Sequence, residues 1–262
     1  MQVYTQELKY QNNNFVLLQF ITFVMKLRPL HILILLVFAM THLAVYGQRQ
    51  KPKNESWYDN KPLHFGFSLG FNTMDFRITP SQDHFVKDSL FPDVSNLKPG
   101  INIQVVTDLK LTEHFNLRFL PGVSFGQRTL MYYKNNELYN SDQKLESSFL
   151  EFPLSLKMKG MRLNNVRPYV ITGLNFRYDL AAKKEYDDGK NVYVRLKKPD
   201  FYYEAGTGID IFLTFFKLSV ELKMSNGIGN IIVNDPAPGR PQYRNAIDKM
   251  KSQIWTISFH FE

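Results

Sequence analysis

Nine ionisable residues recur on the polar side of successive alternating segments: Arg118, Glu151, Lys157, Arg177, Asp179, Glu204, Asp210, Glu221 and Lys223. Side chains of both signs on one face can do two kinds of chemistry. Carboxylates in unequal surroundings can divide acid and base roles between them, or the charges can neutralise one another as ion pairs. Here the charged residues alternate with Gly, Ser and Asn in separate segments, so ion pairing is the expected use. Charges crowded into a narrow interior must be paired or hydrated, which predicts a plugged lumen rather than an open channel.

The histidines at 64, 84, 114 and 260 are far apart in sequence. His64 and His260 lie on the polar faces of the first and last strands, which neighbour each other if the sheet closes. Two imidazoles could share a metal, but no third ligand is evident, so hydrogen bonding near the rim is expected. A further basic group, Lys159, Arg162 and Arg167, follows Lys157 with no acid among them. It is a candidate contact for an acidic partner or for phospholipid headgroups. No GxSxG, HExxH or Walker pattern is present, and no cofactor or small-molecule substrate is indicated. The Gly206-Thr207-Gly208 stretch has no helix after it to complete a phosphate loop.

These residues are positioned by strands. At period two, Trp255, Ile257, Phe259 and Phe261 share one face of the last segment while Thr256, Ser258 and His260 share the other, with Ile254 out of step. The same alternation starts at Leu63 (Phe65, Phe67, Leu69 and Phe71 against Gly66, Ser68, Gly70 and Asn72) and recurs near 101–105, 115–126, 150–157, 170–179, 201–211 and 216–224. Bulges are expected near Pro121 and Pro153, because proline cannot donate to a ladder. Long connections (73–98, 131–146, 181–199 and 226–251) alternate with short ones (110–114, 159–167 and 214–215). That is the pattern of an eight-stranded antiparallel up-and-down transmembrane β-barrel with periplasmic turns and external loops.

Composition agrees. Mean hydropathy is −0.28 and there is no cysteine, so neither a bundle of membrane helices nor a disulfide scaffold fits. The one long apolar run, Leu30 to Val45 behind Met25, Lys26 and Arg28, reads as a signal peptide over 25–47. Residues 1–24 read as upstream sequence outside the mature protein, and 48–62 as a flexible periplasmic lead-in to a barrel domain over 63–262. The net charge of +8 is scattered over loops and a strand face. With no basic helix or aromatic platform beside it, the charge does not point to nucleic acid.

A soluble barrel would alternate too, with its oily face inward. An eight-stranded barrel has room inside only for modest side chains or one small ligand, and most of the 22 phenylalanines cannot fit there. The oily face must therefore point outward, to outer-membrane lipid. Phe65, Phe115, Phe216 and Phe261 then fall near the short-turn rim, and Phe125, Tyr178, Phe201 and Trp255 near the long-loop rim, as two interfacial girdles.

Four segments carry a family resemblance: Lys61 to Phe76, Asn116 to Arg128, Leu150 to Lys157 and Arg167 to Gly173. Together they resemble the PorT family, outer-membrane barrels of Bacteroidetes-type bacteria. The resemblance implies a part in the type IX protein secretion system, linked to gliding motility in some species, with other secretion components as partners. It carries no catalytic residues and implies no enzyme. An outer-membrane enzyme acting on lipid or peptide, or a small structural barrel without a secretion role, is the alternative. Glu262, following Phe261, departs from the usual barrel terminus.

Overall fold

A strand with one oily and one polar face needs a different solvent on each side, and a sheet of such strands satisfies both by curling shut. The computed structural model describes residues 52–81, 90–95, 98–134, 137–182 and 193–262; the expected leader and the sequence before it lie outside the described residues. Ten strands follow in order: β1 Leu63–Pro80, β2 Leu90–Ser95, β3 Pro99–Lys110, β4 Phe115–Phe119, β5 Gly122–Lys134, β6 Glu137–Lys159, β7 Val166–Asp179, β8 Pro199–Phe212, β9 Lys217–Gly227 and β10 Ile247–Phe261. Each pairs antiparallel with its neighbours. The ring closes because β1 pairs on one edge with β10 (Phe71↔Ile257) and on the other with β3 (Phe71↔Ile101). β4 and β5 together form one wall of the barrel between β3 and β6. Eight walls result, with β2 an extra strand on the upper end of β5.

Neither proline makes the expected bulge, since register is kept across both, but they behave differently. Pro121 interrupts its wall, and the Val105 and Leu120 amides bridge the gap by donating to the carbonyls of Pro121 (2.9 Å) and Pro153 (3.2 Å). At Pro153 the expected bulge is absent: β6 runs through in register, Pro153 opposite Asn175. The position beside Pro153 on the other edge is the break at 120–121, so no regular ladder there needs its missing N–H.

Three long connections are shorter than the alternation suggested: within 73–98, β1 runs on to Pro80 and β2 covers Leu90–Ser95. Where 131–146 was expected to be irregular, β5 and β6 continue as a hairpin beyond the barrel, and β10 begins at Ile247 rather than Ser252. The inward residues of these extensions are apolar, which is why a polar-inside rule ends the strands too early. Leu130, Tyr132, Leu145, Ile247 and Met250 join Tyr193, Val194, Ile231, Ile232 and Tyr243 in one buried cluster over the long-loop end. Tyr193 and Val194, inside the connection expected over 181–199, are thus core residues. Ile254 is out of step for the same reason: it points inward and packs with Met74, Phe149 and Tyr202 below that cluster.

The outward faces carry the grease. Phe65 is 65% exposed and Phe71 62%, while Ser68, Gly70 and Asn72 on the opposite face are buried. Phe67 stacks on Phe261 across the closing seam with centroids 4.8 Å apart. No helix among the described residues is long and apolar enough to cross a membrane; the strands of this barrel do so instead.

Candidate functional site

The polar faces meet in the lumen as two linked ion clusters. In the lower one, nearer the short turns, Arg118 donates through Nε and Nη2 to Asp108 (3.0 and 2.6 Å), and its Nη2 also reaches Glu262 at 2.9 Å. Its Nη1 lies 3.7 Å from Glu221. Lys217 pairs with Glu262 and Lys157 with Asp210, each at 2.8 Å. Glu221 accepts from the Tyr169 hydroxyl at 2.9 Å and lies 3.4 Å from His260 Nε2. In the upper cluster Arg177 joins Glu151 (3.1 Å) to Glu204 (3.2 Å), and Lys223 joins Glu204 (3.1 Å) to Glu221 (4.0 Å). Glu221 therefore belongs to both.

Above these, Arg128 is fully buried. It donates to Ser252 (2.7 Å) and Ser147 (2.5 Å), with its guanidinium over the Phe76 ring at 4.0 Å. It marks the passage from the charged zone to the apolar cap. Burying this many ions is tolerable only because nearly every one has an opposite charge and further hydrogen bonds.

Long side chains fit a narrow lumen because glycines make room on the facing strands. A Cβ at Gly208 would lie 2.5 Å from the Tyr169 ring, and one at Gly126 would lie 2.6 Å from the Met74 sulfur. The interior thus holds five large cations (Arg118, Arg128, Arg177, Lys157 and Lys217) fully buried, more bulk than the volume estimate from strand number allowed.

Of the nine residues expected in the network, eight are brought together. Asp179 is buried at the loop end but accepts from the Ser148 (3.2 Å) and Ala181 (3.0 Å) amides rather than from a cation. Four members were missed: Asp108, Lys217, His260 and Glu262. Parity could have found them, since Asp108 continues the inward series Asn102, Gln104, and Glu262 follows His260 by two. Glu262 serves here as an inward carboxylate.

His64 and His260 are not brought together. Ser68, not His64, faces His260 across the seam, and His64 stacks on Tyr58 with ring centroids 3.8 Å apart. Among the described residues no cluster of His, Cys, Asp and Glu could hold a metal.

Where it is described, the lead-in packs against the barrel. Its turn of 3-10 helix, Tyr58–Asn60, sits against the short-turn end of the barrel. The Tyr58 hydroxyl donates to Glu262 (2.8 Å), and the Lys110 ammonium donates to the Asp59 carbonyl (2.6 Å). Asp59 takes Arg167 at 2.7 Å and lies 3.7 Å from Arg162. Arg162 also donates to the Asn54 carbonyl and lies 3.6 Å over the Phe212 ring. Lys159 is buried as well. Arg162 and Arg167 therefore already have a counter-ion within the chain, Asp59, from a position far away in sequence that a reading of the turn alone could not supply. Burial pushes the Tyr58 phenol up, with the Glu262 carboxylate adding to the shift. Burial also raises Asp59, but its bond to Arg167 and the charges of Arg167 and Arg162 outweigh that and hold the carboxyl below its ordinary value.

Residues 47–233 match the outer membrane protein beta-barrel domain family. No curated protein matches the chain. Among solved structures, OprG from Pseudomonas aeruginosa is 12% identical, with 82% of this chain and 98% of that one covered at a TM-score of 0.42. Ail of Yersinia pestis, solved with the heparin analogue sucrose octasulfate, is 10% identical, with 75% and 96% covered at a TM-score of 0.36. With a closed eight-walled ring, an outward apolar face and this family match, the chain belongs to the outer membrane protein beta-barrel domain family and resides in the outer membrane.

Proposed function

We propose that this barrel is a non-conducting, non-catalytic component or accessory of the type IX protein secretion system. The observation that carries the reading is the filled lumen. Ion clusters occupy its middle, an apolar cluster closes the loop end, and the lead-in covers the turn end. A barrel so occupied supplies no path for solutes, which leaves its surfaces as the working part. The assignment to secretion rests on the PorT-like segments Lys61 to Phe76 and Asn116 to Arg128. At the periplasmic rim Trp57, Met161 and Phe215 are 75%, 77% and 89% exposed, so apolar tips are available there to other secretion components.

Two measurements test the two halves. Purified protein in planar bilayers should show no steady porin-like conductance; large ion-selective currents would refute the sealed lumen. Deleting the gene should leave type IX cargo inside the cell. Normal export from the deletion strain would sink the secretion role and leave a small structural barrel.

A further inference from the structure

The closing seam contains an electrostatic anomaly. Wherever two fully charged residues face each other in register among the described strands, they are of opposite sign (Asp108↔Arg118, Glu151↔Arg177 and Arg167↔Asp210 are examples), with one exception. That exception is Arg77 on β1, directly opposite Lys251 on β10, with Lys249 one step further along the same outward face. All three side chains are exposed. Like charges directly opposed across a ladder cost stability.

Nearby carboxylates make no ion pair with these cations, although Lys251 lies within electrostatic reach of Asp200. Asp75 turns Oδ1 to the Phe76 amide at 2.7 Å, and Asp248 is exposed. Among the described residues neither forms an ion pair with these cations.

The height of the cluster points to what does. Phe65 lies near the lower edge of the lipid-facing band, and Arg77 is twelve residues further along the same strand. A rise of about 3.3 Å per residue and a tilt of about 40° put Arg77 roughly 30 Å above Phe65, just past an apolar band about 25 Å tall. On the same outward face the rows below the pair are Asp75 opposite Gln253, then Trp255 opposite Thr73 and Ile257 opposite Phe71, so polar residues give way to apolar ones going down. The cations therefore project outward at headgroup level on the long-loop side, which in an outer-membrane barrel is the outer leaflet. Cross-strand neighbours are about 5 Å apart, close enough for a guanidinium and an ammonium to share one phosphate, with charge-assisted hydrogen bonds from each.

We propose that Arg77, Lys251 and Lys249 form a binding site on the barrel's outer wall for the phosphate of an outer-leaflet lipid headgroup. The lipid phosphate supplies the anion that the strand pairing lacks, and it clamps the first strand to the last from outside.

The probe is diphosphoryl lipid A, compared with its dephosphorylated form, offered to the full-length chain in phosphatidylcholine vesicles at physiological salt. Retention per barrel is read by native mass spectrometry. At about 1 kcal/mol per cation, Arg77→Gln and Lys251→Gln should each weaken binding about fivefold and the double variant about 25-fold. Lys144→Gln, an exposed cation facing Thr129 on another wall, should leave binding unchanged, and inorganic phosphate should not compete. In phosphatidylcholine alone the double variant should be at least as stable as the unmodified chain, because a repulsion has been removed. Equal affinity for dephosphorylated lipid A overturns the proposal, as does equal weakening by Lys144→Gln. A double variant destabilised without any lipid A would make the pair structural and overturn it too.

Discussion

Arg118→Met tests whether the lumen is dry and paired. The guanidinium is fully buried and serves three carboxylates. After its removal Glu262 keeps Lys217 and Tyr58, both at 2.8 Å, and Glu221 keeps Tyr169 at 2.9 Å with His260 at 3.4 Å. Asp108 keeps only the Asn116 amide, at 2.5 Å. It becomes a buried carboxylate without a directly paired cation, Lys157 and Lys217 acting on it only from further away, and removing one partner of a buried pair costs about 3–5 kcal/mol. The double variant Arg118→Met with Asp108→Asn removes the orphaned charge as well and should recover at least half of that loss. Urea titration of the barrel in lipid vesicles, followed by the mobility difference between folded and unfolded forms on gels, reads both. With a slope of about 2–3 kcal/mol per molar urea, the single variant's midpoint should fall by about 1–2 M. A single variant within about 0.3 M of the unmodified chain, at unchanged slope, would show that water rather than Arg118 solvates Asp108. The picture of a paired, dry lumen would then be wrong.

Two further outcomes follow from the turn end and the glycines. The depressed Asp59 carboxyl contributes stability that is full above its ordinary value of 3.8 and is lost as pH falls below it. Because Asp59 is partly exposed, the contribution is small, under about 1 kcal/mol. In a Trp255→Phe background, Trp57 fluorescence should report release of the lead-in on acidification below about pH 4, and Asp59→Asn should loosen it at every pH; release on raising the pH would contradict the clamp. Gly208→Ala should destabilise by about 1–3 kcal/mol through its clash with the Tyr169 ring. Adding Tyr169→Leu should recover part of that loss in the same urea titration, and strictly additive losses would place the clash elsewhere.

Sequence alone determined the wall of this barrel. Phe65 through Phe71 and Trp255 through Phe261 could have only one face in lipid, because period-two alternation is a local property of the backbone. Interior volume then decided which face that was. The same parity located all nine expected network residues inside, Asp179 included though it joins no ion pair with a cation, and would have located Asp108 and Glu262 had it been carried to the strand ends. The tertiary structure decided which charge meets which, since Arg118 and Glu262 are joined by strand register and barrel tilt rather than by spacing in the chain. It also decided the two ends of the lumen. Alternation of oily-out and polar-in holds only where lipid lies outside, so above the membrane the inward positions Leu130, Tyr132 and Met250 turn apolar and form a cap that reads in sequence as loop. At the other end, the basic turn lacks any acid of its own. Asp59 reaches it only because the lead-in, starting from the first strand, crosses the turn-end mouth of the closed ring to that turn on the opposite wall, and such proximity exists nowhere in the linear chain.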